Sequence, residues 1–347
     1  PPNYLLIVGD DDMIPRYRYD DPSNDEGINL FRCGGLQHPG WCWDDANNPA
    51  IWATDNDYFF TDNFYAAQDP LGGAKPDWRT GDTTLAVGRL VGDTASDMIK
   101  MLRASDAATD LTGRAVMASV DGWELGWEPP DGSLFAIDDL VNVPLLFQAV
   151  GIDVLNDTEV LRTVDVMTPY TWDEVLLRNL ANGGMDLFFI GSHADPFSAG
   201  IPGDNYSADE TPGNYTRLDD DHPVLIISGC HGGLSVPPPL VPPQVGGADE
   251  SLVLDAAHEG ARAYLGATGF SYGSPDNLQS CTYAERLIQR FFLYLLGPGG
   301  KSAPLGIALR NAKQDHDFGI GTSDALHRKT VTEYTLYGVP WQTLEYP

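Results

Sequence analysis

The sequence predicts an α/β fold in which helices pack on a mainly parallel central sheet. Three observations predict it. Short apolar runs alternate with amphipathic stretches along most of the 347 residues, the mark of βα units. The amphipathic stretches space their apolar residues three or four apart, as a helix lying on a sheet requires. Hydrophobic residues make up 42% of the chain and Trp, Tyr and Phe 10%, enough to bury a sizeable core.

Taken in order, the strand candidates are YLLIV (4 to 8), TLAVG (84 to 88), AVMASV (115 to 120), DLFFIG (186 to 191), VLIISG (224 to 229) and RAYLGA (262 to 267). Between them lie helix candidates over 96–107, 138–151, 171–182 and 248–260. Two further helices, 284–297 and 304–314, close the domain, the first ending at Gly297 as helices often do. Long loops are expected over 16–53, 194–222 and 230–247, the last stiffened by SVPPPLVPP. The length admits two average domains or one large domain with a subdomain. We divide it into an N-terminal subdomain over 1–110, open to truncation, and a larger subdomain over 111–347.

Charge narrows the partners. Fifty acidic against 20 basic residues give a formal charge of −30. Phosphate-backbone binding relies on clustered Lys and Arg, so nucleic acid is excluded as a partner. An acidic shell keeps a protein soluble in salt, attracts cationic substrates and offers oxygen ligands to Ca²⁺. Asp10, Asp11, Asp12, Asp55, Asp57 and Asp62 cluster around strand ends. From them Asp10, Asp12, Asp55 and Asp57 are the candidate ligands of a structural Ca²⁺ in an irregular loop site, since no EF-hand spacing is present. No organic cofactor is expected.

No run reaches the roughly 18 apolar residues needed to span a bilayer, the best candidate (287 to 297) being interrupted by Arg290. The chain starts at Pro1 and enters an apolar strand by Tyr4, which reads as a trimmed piece of a longer precursor, secreted or held at the cell surface. Cys33 and Cys42 flank a Gly- and Trp-containing loop, where a local disulfide and two free thiols are both open. His38 lies between them, but no fourth zinc ligand stands at a familiar spacing.

The chemistry is concentrated where two apolar strands run out, in FFIGSHADP (188 to 196) and VLIISGCHGG (224 to 233). A buried strand that ends in a small-residue turn fixes its next side chain on the sheet's carboxyl edge, where open parallel sheets bind ligands. His193 and Cys230 can therefore face each other. Amide hydrolysis by cysteine needs a thiolate, a proton carrier for the departing amine and donors for the oxyanion. The pair supplies the first two, and the backbone N–H groups of Cys230 and Ala194 are the natural donors. Gly229, Gly232 and Gly233 leave the main chain open to close approach of a substrate carbonyl. His231 cannot easily replace His193, because neighbouring side chains diverge.

In this order, His before Cys and each after an apolar strand, the sequence resembles the caspase-like clan of cysteine peptidases, and most of all its gingipain branch. The resemblance is carried by YLLIVGDDDMIP (4 to 15), TDNDYFFTD (54 to 62), LAVGRLVG (85 to 92), the His and Cys blocks, ARAYLGATGFSYGSP (261 to 275) and LYGVPW (336 to 341). It implies a caspase-like three-layer sandwich with His193 as general acid and Cys230 as nucleophile. It also implies an acidic residue orienting the His from DGWELGWEPPDG (121 to 132), for which Glu128 is preferred to Glu124. Asp138 and Asp139 would select a basic P1 residue, with Tyr272 covering its stem. Asp138 can equally cap the following helix. Two positions depart from the family pattern, Ala194 in place of Gly and Gly229 in place of Ala. The reading is a cysteine endopeptidase acting on proteins or peptides, other segments of its own precursor included. The alternative is a catalytically inactive, Ca²⁺-stabilised binding module, favoured by Ala194. A serine hydrolase fails for lack of G-x-S-x-G at a strand end.

Overall fold

The chain was analysed as a computed structural model, which describes residues 3–23, 57–67, 79, 83–106, 114–119, 153–156, 185–201, 204–207, 222–236, 250–273, 283–296, 302–317 and 325–345. Among the described residues, twelve strands and six helices follow one another. They are β1 (Tyr4–Val8), β2 (Tyr17–Asp20), β3 (Tyr58–Thr61), α1 (Asn63–Ala66), β4 (Ala86–Leu90), α2 (Ala95–Asp106), β5 (Arg114–Ser119) and β6 (Asp153–Asn156). Then come β7 (Met185–Gly191), β8 (Ser198–Ile201), β9 (Asp204–Ser207), β10 (Val224–Ser228), α3 (Leu252–His258), β11 (Ala263–Ala267), α4 (Tyr283–Leu295), α5 (Leu305–Asp317), α6 (Ala325–Glu333) and β12 (Tyr334–Gly338).

Eight strands form one sheet in the order β1-β4-β12-β11-β10-β7-β5-β6. Every neighbouring pair is parallel except β11 and β12. The sheet is thus two parallel blocks of opposite direction joined at one antiparallel seam. β10 reads VLIIS and is buried along its whole length, as a strand with both faces covered must be. One face packs Leu187, Phe189, Val224, Ile226 and Leu265 against Leu287, Ile288, Phe291 and Phe292 of α4 and Leu305 and Leu309 of α5. The other packs Phe188, Ile190, Leu225, Ile227, Tyr264 and Tyr337 against Met101 of α2 and Leu252, Val253 and Ala256 of α3. Each fully buried side chain of this size contributes about 1.5–3 kcal/mol. The result is the helix–sheet–helix sandwich.

The N-terminal strands are pinned by buried arginines. Arg89 of β4 clasps Asp62 with bonds of 2.6 and 2.8 Å and also donates to the carbonyls of Gly9 and Ile14. Arg16 pairs with Asp10 at 3.0 Å and lies over the Tyr337 ring.

Several elements differ from the sequence reading. The strand expected over 84–88 begins at Ala86, because the N–H groups of Thr84 and Leu85 are taken by the Ala66 carbonyl. The segment expected as an open loop over 194–222 carries the hairpin β8–β9. The start of the segment expected as a loop over 230–247 is not at the surface. His231 to Val236 are buried, with Gly232 and Gly233 accepting hydrogen bonds from the Tyr264 and Tyr337 hydroxyls. Helix candidates 138–151 and 171–182, and Cys33 and Cys42, lie outside the described residues.

Candidate active site

β7 and β10 are parallel neighbours in register, Ser228 opposite Gly191, so their following turns leave the sheet side by side. What brings those turns into contact is the missing side chain of Gly229. A Cβ there would stand 2.4 Å from the Ser192 carbonyl oxygen, 2.6 Å from the Ala194 Cβ and 3.0 Å from the Ala194 nitrogen. The residues on either side of this contact are His193 and Cys230.

The histidine turn is held by its own backbone. The His193 carbonyl accepts from the Gly200 N–H at 2.7 Å and from the Ser192 hydroxyl at 2.9 Å. Asp195 accepts from the N–H groups of Phe197 and Ser198 at 2.7 and 2.8 Å, closing a tight turn. Ala194 bridges to Ala199. His193 itself is exposed and Ala194 half-buried. The next turn is fixed from the other side: His231 takes a left-handed φ of 55°, its N–H donates to the Gly269 carbonyl, and its ring meets Phe270 edge-on. That places the His231 imidazole in the interior, away from solvent. The flanking glycines serve chain-to-chain packing. Gly232 lies against Ile227 and Gly233 against Gly266, where any Cβ would come within 2.8 and 2.4 Å of them.

Cys230 is a half-buried thiol outside any disulfide, and its Sγ donates to the Ser271 carbonyl at 3.4 Å. It opens on a small hollow lined by Ser192, Ser228, Gly229, Cys230, Ser271, Tyr272, Gly273, Ala284 and Glu285. The Tyr334 hydroxyl lies beneath it, 3.1 Å from Ser228 Oγ and 2.9 Å from Ser271 Oγ. Burial pushes the Tyr334 hydroxyl well above its usual range, so it stays protonated at neutral pH. Tyr272 lines the same hollow as Cys230, and Lys329 packs 5.5 Å from its ring centre.

Glu128, Asp138, Asp139 and Asp55 lie outside the described residues. Of the other expected metal ligands, Asp10 is engaged by Arg16 and by the Ser235 hydroxyl, Asp12 is exposed in the turn after β1, and Asp57 is half-buried just before β3. Among the described residues no group of three or more His, Cys, Asp or Glu side chains is gathered to hold a metal ion. No helix among them is long and apolar enough to cross a membrane.

Sequence reasoning missed Ser228, Ser271 and Glu285 as lining of the hollow, and the Tyr334 hydroxyl beneath it. Glu285 carried a usable signal. It stands three and seven residues before Ile288 and Phe292, on the apolar stripe of its helix, where a carboxylate is out of place unless it serves a site.

A sequence profile described as Peptidase family C25 matches residues 1–344. Among solved structures, the crystal structure of the Arg-specific cysteine proteinase gingipain R is 14% identical with a TM-score of 0.59, covering 99% of this chain and 64% of that one. The complex of Porphyromonas gingivalis RgpB pro- and mature domains is 14% identical with a TM-score of 0.58, covering 98% and 65%. A structure described only as a protease is 14% identical with a TM-score of 0.53, covering 98% and 64%. At such identity these likenesses speak for the fold, and the chain spans less than two thirds of each of those chains. No curated protein matches the sequence significantly.

Proposed function

The chain belongs to peptidase family C25, cysteine peptidases of the gingipain type, and from that premise we propose that it is an endopeptidase acting through Cys230 and His193 after a basic P1 residue. The observation that supports the proposal is the packing of Gly229 on Ser192 and Ala194, which brings together the turns that carry His193 and Cys230, with Cys230 on the lining of the hollow.

The resting thiol holds its proton toward the Ser271 carbonyl. In the reaction that proton passes to the His193 imidazole, and the sulfur attacks the scissile carbonyl carbon. The N–H groups of Cys230 and Ala194 receive the oxyanion. The imidazolium then protonates the departing amine as the C–N bond breaks, leaving a thioester on Cys230. Water, deprotonated by His193, attacks the thioester and releases the acid and the free thiol. Glu128 orients the imidazole in this scheme, and Asp138 and Asp139 hold the P1 cation under Tyr272. Ala194 keeps its backbone N–H, and its methyl fills the space that Gly229 leaves.

Substrates are proteins or peptides outside the cell or at its surface, and segments of the protein's own precursor are included among the partners. A structural Ca²⁺ would have to draw on Asp12, Asp55 and Asp57, since Asp10 is committed to Arg16. The test of the activity is a peptide acyloxymethyl ketone with P1 Arg. The intact protein should gain the acyl-methyl mass on Cys230, and Cys230→Ala should gain nothing. A wild-type protein that stays unlabelled would count against a peptidase acting after Arg and favour the inactive binding module.

A further inference from the structure

A second hollow lies between α1, α5 and strands β4 and β12, and its lining shares no residue with that of the hollow at Cys230. Two cations of α5, one turn apart, line it: Arg310, half-buried, and Lys313, 4% exposed. Lys313 Nζ donates to Asn63 Oδ1 at 2.8 Å and to the Tyr334 carbonyl at 2.6 Å, which leaves one N–H of the ammonium over. Arg310 reaches the Thr84 carbonyl at 3.4 Å and Asn311 Oδ1 at 3.1 and 3.4 Å, so part of its donor fork is left as well. Among the described residues, then, both cations bond to neutral oxygens alone. The carboxylate that also lines the hollow, Asp62, has its two oxygens held by Arg89 at 2.6 and 2.8 Å. Asp62 and Glu333 act on the Lys313 ammonium only from beyond ion-pair distance.

In a chain with 50 acidic residues, two cations that share a hollow and bond to no carboxylate point to a partner that is itself an anion. Val87, Leu309 and Leu336 wall the hollow, and apolar walls strengthen the pull of fixed donors on a compact charge. There is room for about one water-sized guest, which fits a halide ion and is too small for phosphate, sulfate or an organic acid. Burial lowers the Lys313 ammonium to about 7, and an anion beside it would draw the proton back. The charge of −30 opposes an anion at long range, but salt screens exposed charges beyond about 8–10 Å and leaves the local donors in control.

We propose that Lys313 and Arg310 form a binding site for a chloride ion, held by the remaining N–H groups of the ammonium and the guanidinium in the hollow between α5 and the neighbouring strands β4 and β12. The site is independent of the peptidase reading. The ion prefers the protonated ammonium, so its affinity falls as pH rises through the Lys313 range. The groups that face this ammonium are Asp62 and Asn63 from the turn after β3, Tyr334 of β12, Glu333 of α6 and Arg310 of its own helix. The competing role is purely structural, with Lys313 tethering α5 to Asn63 and β12. The two differ in their response to chloride.

The test titrates the protein with sodium chloride against sodium gluconate at constant ionic strength, gluconate being too large for the hollow. Two signals are read, the chloride NMR line width and the thermal-unfolding midpoint. Wild type at about pH 6 should broaden the chloride line saturably and melt higher in chloride than in gluconate, and its apparent Kd should rise about 10-fold by about pH 8 as Lys313 loses its proton. Arg310→Gln, at a half-buried position, should weaken binding about 10-fold or more at both pH values. Lys313→Arg keeps the charge and should bind with no pH dependence, whereas Lys313→Met should lose binding. Where Lys313→Met does not fold, Arg310→Gln and the wild-type pH series decide. Line widths alike in wild type and Arg310→Gln, or an affinity that ignores pH, would show an ion bound elsewhere and overturn the proposal. So would a wild-type protein that melts equally in both salts, which would leave Lys313 a structural tether.

Discussion

Replacing Gly229 by Ala probes the contact on which the site is built. The new Cβ would lie 2.4 Å from the Ser192 oxygen and 2.6 Å from the Ala194 Cβ, separations that real Cβ atoms do not keep, so the histidine turn must move. Overpacking of this kind costs about 1–3 kcal/mol, and the loss of a glycine from the unfolded chain returns about 0.4–1 kcal/mol. The net expectation is a destabilisation of about 1–2 kcal/mol, read from the urea midpoint at unchanged m-value. Displacing Ala194 also displaces the proposed oxyanion donor, so labelling of Cys230 by the P1 Arg ketone should slow by roughly 10-fold or more. Ala194→Gly on the same background removes the 2.6 Å clash and leaves the one with the Ser192 carbonyl. The double variant should therefore recover part of both losses, with a coupling of about 0.5–1 kcal/mol. Strict additivity, or a Gly229→Ala protein as stable and reactive as wild type, would refute the idea that the two turns pack as one unit.

Other perturbations read other parts of the structure. Burial lowers the Lys313 ammonium to about 7, although Asp62 and Glu333 pull the other way, while its Nζ donates to Asn63 Oδ1 and the Tyr334 carbonyl. Below about pH 7 both folded and unfolded states carry the proton. Above it the unfolded state binds more protons, so stability should rise toward pH 10 at up to about 1.4 kcal/mol per unit. That rise should be missing in Lys313→Met, as measured by urea unfolding across the range. Lys329 and Asp21 form a fully buried pair at 2.9 Å. Lys329→Met should cost about 3–5 kcal/mol by stranding the carboxylate, and adding Asp21→Asn should restore part of it. For the proposed Ca²⁺, saturation at 100 times Kd should stabilise the fold by about 2.7 kcal/mol, and a melting temperature unmoved by EGTA would remove the ion from the account.

Much of the framework was legible because fully buried strands carry continuous apolar runs. DLFFIG and VLIIS match β7 and β10 closely, and the strand ends that precede His193 and Cys230 follow from that. The pattern failed where tertiary contacts override it. β12 continues from α6 without a turn, Glu333 being helical and Tyr334 extended, so no punctuation announces the strand, and its antiparallel seam with β11 is set by the sheet. Gly232 and Gly233 read as a loop opening toward substrate, whereas close approach of Ile227 and Gly266 is what requires them. Ser228, Ser271 and Glu285 come from three distant segments, and spacing along the chain says nothing of their meeting.

Proteolysis by this chain depends on the imidazole of residue 193 and the sulfur of residue 230 reaching one reacting atom. A bis-alkylating ketone of three carbons, 1,3-dibromoacetone, tests this directly, since it can join sulfur to ring nitrogen with loss of two bromides only if both stand within its short span. Mass spectrometry of the digested protein should show the peptides holding His193 and Cys230 linked, and no link in His193→Ala. Cys230 alkylated at one end alone, with the second arm hydrolysed and no link to His193, would contradict the account.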